Sequence, residues 1–155
     1  MKKFAWDYRR SVMTSFNFIY LGSQYTSDSL EVMESRARSA AHATAVLLRA
    51  GIYVYSPITH CHSIAVQYDL PRDFTFWRDY NFAMLSKAMA MVVLRLPGSD
   101  YSKGLISEKK FCQHHKIPIY ETWSDKISTD AEIHRLKEIV ARLEEEDAPL
   151  IHTIG

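Results

Sequence analysis

Short apolar runs alternate with helix-length stretches along this chain, and that alternation limits the fold more than any other feature. Phe16-Asn17-Phe18-Ile19-Tyr20-Leu21 ends at Gly22, Ile52-Tyr53-Val54-Tyr55 ends at Ser56-Pro57, and Met91-Val92-Val93-Leu94-Arg95-Leu96 ends at Pro97-Gly98. Ile117 to Tyr120 makes a fourth, shorter run. β-Branched and aromatic side chains bounded by Gly, Pro or Ser read as strands. Strands separated by helices pair in parallel through right-handed crossovers. The expectation is one α/β domain over residues 1–155, a three-layer sandwich around a mostly parallel sheet of four or five strands.

The helical stretches carry their own punctuation. Ser27 or Asp28 can cap a helix running to about Ala50, with Met33, Ala37, Ala40, Thr44 and Leu47 on one narrow face and Gly51 as the stop. Ile58 to Asp73 reads as irregular, with a short helix around His62 to Gln67. Further helices are expected from about Phe76 to Ala88 and from Lys103 to His115. Thr129-Asp130-Ala131-Glu132 is a capping-box pattern. Behind it, Ile133, Leu136, Val140 and Leu143 mark a C-terminal amphipathic helix over 129–147, ending before Pro149. Residues 1–15 read as an N-terminal extension. In parallel sheets the ligand lies beyond the carboxyl ends of the strands. The loops at Gly22-Ser23, at Ser56-Pro57 and from Pro97 to Gly104 should therefore converge on one cleft.

Charge and motif content narrow the function. Nineteen Lys and Arg against eighteen Asp and Glu leave a net charge of +1, which argues against a nucleic-acid polymer as ligand. No apolar run reaches bilayer length. The segment Met1 to Ser15 carries Lys2, Lys3, Arg9 and Arg10 without a continuous apolar stretch, so it does not read as a signal peptide. Cys61 and Cys112 make no disulfide framework. The expected compartment is the cytoplasm, with no membrane partner. His60-Cys61-His62 hints at metal, but adjacent ligands suit zinc poorly, and neither a metal nor a cofactor is expected. Dinucleotide-binding, triphosphate-loop and Gly-x-Ser-x-Gly signatures are all missing.

The most informative stretch runs from Pro97 to Glu108: a strand end, a flexible loop and a helix start. Backbone N–H groups at a helix start attract anions, and Ser102 and Gly104 would let a phosphate approach closely. Glu108, about one turn further on, would lie near the same cleft, placed to attack or stabilise a sugar C1 centre. By itself this spacing also fits an ordinary loop followed by a surface glutamate.

The ordered set Tyr20-Leu21-Gly22-Ser23, Tyr55-Ser56-Pro57, Met84-Leu85, Val92-Val93-Leu94, Ser102-x-Gly104-x-x-x-Glu108 and Lys116-Ile117-Pro118-Ile119 resembles the nucleoside 2-deoxyribosyltransferase superfamily. The resemblance covers most of residues 16–121. The Ser-x-Gly-x-x-x-Glu spacing is similar to the branch of 2′-deoxynucleoside 5′-monophosphate N-glycosidases. Phe76-Trp77 through Leu96-Pro97-Gly98 resembles a small branch found in phage and bacterial genomes. The resemblance implies a flavodoxin- or Rossmann-like fold and cleavage of an N-glycosidic bond, by hydrolysis or by transfer of the sugar. It implies Glu108 as the nucleophile that forms a glycosyl ester and Tyr20 as its orienting partner. It further implies that Ser102 and Gly104 contact the phosphate or 5′-hydroxyl and that Gly22 and Ser23 line the nucleotide site. A homodimer or larger homo-oligomer is also implied.

The chain departs from that pattern at two positions. The aspartate expected on the helix before the third strand falls on Asn81, and a second, just before that strand, on Met89. Asp79 lies about 200° from Asn81 around a helix, while Trp77, Asn81, Met84, Leu85 and Ala88 share one side. Asn81 is therefore the inward residue, able to hold a sugar hydroxyl but not to act as a carboxylic acid. An acid would have to come from elsewhere, such as a histidine, and His60, after Ser56-Pro57, is the candidate for base binding or proton transfer. Tyr25, Tyr53, Tyr55, Phe74, Phe76 and Trp77 include candidates to stack on a base, the others serving as core or interface. Arg36 lies on the first helix, where it can reach a phosphate or stay solvated. The competing readings are a nucleotide-binding module of the same fold that does not cleave its ligand, and a structural subunit of an oligomer.

Overall fold

The computed structural model describes residues 17–98, 100 and 102–147. The expected extension at residues 1–15 and Phe16 lie outside the described residues. The elements run β1 (Ile19–Ser23), α1 (Leu30–Arg49), β2 (Val54–Tyr55), α2 (Pro57–Gln67), α3 (Phe74–Leu85), β3 (Ala90–Arg95), α4 (Lys103–His115), β4 (Ile119–Trp123) and α5 (Asp130–Asp147). The strands form one sheet in the order β2-β1-β3-β4, every pair parallel. The chain steps from β1 outward to β2, then returns past β1 to β3. This reversal opens a crevice at the carboxyl end of β1, where α/β sheets of this kind hold ligands.

Strand alternation builds the three layers. Ile19 and Leu21 on β1, with Ala90, Val92 and Leu94 on β3, pack against Ala43, Val46 and Leu47 of α1 and Leu136 of α5. The opposite parity, Tyr20, Met91 and Val93, meets Leu85 of α3 and Leu105 and Cys112 of α4. Helices on both faces bury β1 along its whole length, which explains why its sequence reads as a continuous apolar run. Among the described residues, no helix is long and apolar enough to cross a membrane.

Several boundaries differ from the sequence reading, each for a local reason. Helix α1 begins at Leu30 because Ser29, not Ser27 or Asp28, is its cap, accepting from the Val32 N–H at 3.4 Å. Ser27 instead accepts from the Ser29 N–H at 3.2 Å. The stretch expected to be mostly irregular after Ser56 is a helix from its first residue. Ser56 accepts from the Thr59 N–H at 3.2 Å and Pro57 occupies the first helical position, where its missing N–H costs nothing. Helix α3 starts at Phe74, two residues before the expected Phe76, capped by Asp73 accepting from the Phe76 N–H at 3.1 Å. It stops at Leu85, short of Ala88.

Helix α4 occupies the expected span. Its end explains why β4 is shifted from Ile117–Tyr120 to Ile119–Trp123. Lys116 is left-handed (φ 57°), and the Ile117 N–H is used on the Cys112 carbonyl at 2.9 Å, a helix-closing bond that delays pairing. In α5 the Thr129 hydroxyl accepts from the Glu132 N–H at 3.3 Å. The Glu132 carboxylate turns to Arg135.

The inner face of α1 yields a stability test. Leu47 is fully buried while the adjacent Leu48 is 52% exposed. Leu47→Ala should cost about 2–5 kcal/mol and Leu48→Ala under about 0.5 kcal/mol, as read by chemical denaturation.

Candidate functional site

Four segments converge at the crevice. A cavity of about 490 Å³ is lined by Ser23 to Thr26 at and beyond the end of β1, by α2, by Arg72 to Thr75 with Trp77 and Asn81 of α3, and by Ser102 to Leu105 with Glu108 on α4. The first turns of α2, α3 and α4 all contribute to its wall. Each helix N-terminus carries about half a positive charge, and Arg72 and Lys103 add two cations. The mouth is thus suited to an anionic group, with Asp73 as its one charged counterweight besides Glu108.

Glu108 lies on the buried side of α4. Leu105, Glu108 and Cys112 recur at helical spacing and all are buried. Tyr20 rises from β1 on the face covered by α4, and its hydroxyl donates to Glu108 Oε1 at 2.6 Å. Gly22, two residues along the same strand, points to the same side. A Cβ there would meet Met91 Cε at 2.5 Å, Glu108 Oε2 at 3.2 Å and Leu105 Cδ2 at 3.2 Å. Glycine therefore lets α4 bring its carboxyl down onto the strand.

Burial dominates the electrostatics. Removal from water pushes the Glu108 carboxyl from its ordinary 4.5 up to about 7, against the opposing effects of the Tyr20 hydroxyl and the Asn81 amide. The Tyr20 phenol is itself held well above its usual range by burial and by the neighbouring carboxyl, so it stays protonated and donates. A carboxyl poised near neutrality can act either as a nucleophile or as an acid.

The expected site residues divide into three groups. Glu108, Asn81, Ser23, Tyr25, Pro57, Ser102 and Gly104 all line the cavity. Tyr20 and Gly22 lie beneath it, against the carboxyl. Ser56 and His60 do not line it. The Ser56 hydroxyl is occupied as the α2 cap. His60 stacks on Tyr80 with ring centroids 6.3 Å apart and planes 10° from parallel. Because Pro57 to Gln67 is helical, His60 and His62 point about 200° apart. The inner stripe is Pro57, Ile58, Cys61, His62 and Ala65, so the cavity takes His62. The Ser-Pro pair at a strand end was the signal that could have found it, because Ser before Pro starts a helix.

Other side chains hold the frame. Arg36 reaches neither the cavity nor open solvent alone. Its Nη1 donates to the carbonyls of Tyr25 at 3.2 Å and Thr26 at 2.7 Å, pinning the loop after β1. Ser102 is the α4 cap, accepting from the Leu105 N–H at 3.4 Å. Gly104 packs closely on Phe74: a Cβ there would lie 3.1 Å from the ring, which would have to give by a few tenths of an ångström. Arg95 pairs with Asp100 and, at 2.9 Å, with Glu121, tying the segment before α4 to the sheet. As expected, Asp79 faces away, paired with Arg78, and Met89 packs against the core. Sequence reasoning missed Gln24, Thr26, Arg72 and Asp73 on the wall. Among the described residues, no three His, Cys, Asp or Glu side chains come together as metal ligands would.

Fold and cavity define a parallel-sheet α/β protein with a crevice at its topological switch point and a buried carboxyl at the crevice base. The chain belongs to the family described as Domain of unknown function (DUF1937), whose model matches residues 17–124. That span takes in all four strands and every residue of the cavity wall. No curated protein matches the chain.

The shifted carboxyl has a measurable consequence. Because the unfolded chain ionises Glu108 near 4.5 and the folded chain only near 7, the fold is relatively most stable below pH 4.5. It loses about 3 kcal/mol from this group as pH rises to 7 and beyond. Glu108→Gln, which keeps the shape without the charge, should remove that decline. The variant should be more stable than the parent at pH 8 by a few kcal/mol in denaturant titrations. Equal stability at pH 8 would show the carboxyl to be solvated.

Proposed function

We propose that the protein cleaves the N-glycosidic bond of a nucleoside 5′-monophosphate or nucleoside, by hydrolysis or by transfer of the sugar, with Glu108 as nucleophile. One observation carries the reading: a buried carboxyl on the cavity wall, gripped by Tyr20 at 2.6 Å, at the base of a cavity whose mouth carries Arg72 and Lys103 beside Asp73. The start of α4 at Lys103 lies five residues before Glu108, about 7.5 Å along the helix axis, so a phosphate held at that start would leave its sugar between the two. The carboxylate attacks C1′ as positive charge develops at the anomeric centre, and the base departs. Water or a second base then resolves the ester. This arrangement is the one that the resemblance to deoxyribosyltransferases leads one to expect.

A second reading has its own support. Asn81 stands beside Glu108 where a carboxylic acid would assist departure of the base, and its amide can donate a hydrogen bond but cannot transfer a proton. On that reading the cavity captures a nucleotide and returns it unaltered.

Either reading places the protein in the cytoplasm, where nucleotides are abundant and where Cys61 and Cys112 stay as the free thiols they are. A homo-oligomer is part of the proposal. The half-exposed Phe76 and Tyr80 of α3 supply apolar surface for it, and sedimentation velocity would measure it.

The decisive screen incubates the protein with common nucleosides and nucleotides and detects free base by mass spectrometry. The glycosidic reading predicts release from at least one, abolished in Glu108→Ala with the fold retained. Bound ligand recovered intact after long incubation would favour capture. For the active pair, kcat/KM should fall at low pH with a midpoint near 7, as Glu108 becomes protonated. Tyr20→Phe removes the bond that favours the charged carboxylate, so it should move that midpoint to higher pH.

A further inference from the structure

We infer that His62 is the proton donor to the departing base, held in place by Tyr25. This rests on the glycosidic reading above and supplies the step that Asn81 cannot perform. When the bond between C1′ and the base breaks, its electron pair goes to the base. An ordinary nucleobase is a poor leaving group until a ring nitrogen or carbonyl oxygen takes a proton.

The cavity wall offers few candidates for that proton. Glu108 must be a carboxylate to attack. Asp73 Oδ1 is an acceptor, occupied by the Phe76 N–H at 3.1 Å. A guanidinium serves as a hydrogen-bond donor rather than as an acid catalyst, which sets Arg72 aside. Burial pushes the Tyr25 phenol and the Cys61 thiol up, making both weaker acids. Lys103 stands on the α4 wall with the nucleophile. His62 stands on the α2 wall, in the inner stripe with Pro57, Ile58, Cys61 and Ala65.

The imidazole is also oriented. Its Nδ1 is 2.8 Å from the Tyr25 hydroxyl, and the two rings meet edge to face with centroids 5.6 Å apart. Tyr25 in turn is fixed by Arg36, which binds the carbonyls of Tyr25 and Thr26. Nε2 is left without a partner among the described residues. A histidine held through one ring nitrogen presents the other to its target.

The step balances as follows. A Glu108 oxygen bonds to C1′ while the bond from C1′ to the base nitrogen breaks. The imidazolium of His62 passes its Nε2 proton to the base and becomes neutral imidazole, and the base leaves uncharged. Water then hydrolyses the ester, and the proton it sheds returns to the imidazole.

The test compares two leaving groups on one sugar phosphate. The first is the nucleotide from which the wild type releases base. The second is the matching 4-nitrophenyl glycoside 5-phosphate, whose nitrophenolate departs without a proton. His62→Ala should lose about 100-fold or more in kcat/KM on the nucleotide and less than about fivefold on the nitrophenyl compound. Retained activity on the latter also shows that the variant folds. Tyr25→Phe should lose about tenfold on the nucleotide alone, as a positioning residue would. Equal losses on both compounds, or none on either, would overturn the role of His62 while leaving the glycosidic reading intact. Failure of the wild type to release base from any nucleotide would remove that reading and this proposal with it.

Discussion

The bond between the Tyr20 hydroxyl and the Glu108 carboxyl, buried between β1 and α4, is the interaction on which the rest of the site depends. A carboxyl in that position is expensive to ionise, and the fold offsets only part of the expense. One phenol and one amide favour the charged form, while burial opposes it more strongly. The balance near neutrality is what a nucleophile or an acid requires. A fold selected for stability alone would fill the position with an apolar or neutral side chain.

The surrounding structure can be understood as the means of keeping that carboxyl there. Gly22 clears the strand surface beneath it, and Gly104 lets the start of α4 close against Phe74. Arg95, through Asp100 and Glu121, ties the segment before α4 to the end of the sheet. Arg36 pins the loop after β1 by its backbone. Three helices begin at the same opening, so their partial positive charges gather where an anionic substrate would enter. Sheet topology makes this possible, because reversal of the winding at β1 leaves the space above it unfilled.

Much of this was legible in the sequence. Strand alternation, helical phase and family resemblance point to Tyr20, Gly22, Asn81, Ser102, Gly104 and Glu108, and the structure gathers all six at one crevice. Those signals are local: a period of two on β1, a period of 3.6 on α3 and α4, and a turn between. The start of α2 is hard to read from sequence, since Ile58 to Asp73 lacks a strong amphipathic pattern and its one clear signal is the Ser56-Pro57 pair. Without that start the helical phase is undefined, and the sequence points to His60 where the fold presents His62, two residues further on. Asp73 and Arg72 leave no trace in the sequence pattern because a loop gives no period from which direction can be read. On sequence Arg36 reads as a phosphate ligand or a solvated side chain, and its contact with two loop carbonyls depends on tertiary closure that no spacing encodes.

The central claim is that Glu108 attacks the sugar, and the most direct measurement is to catch the ester. The protein would be incubated with a 2′-fluoro-arabino nucleotide, whose ester hydrolyses slowly because fluorine destabilises the charge at C1′. It would then be digested and mapped by mass spectrometry. The account predicts one added sugar phosphate on the peptide containing Glu108, with free base in equal amount. Base release with no adduct at Glu108, or with the adduct on another residue, would contradict it.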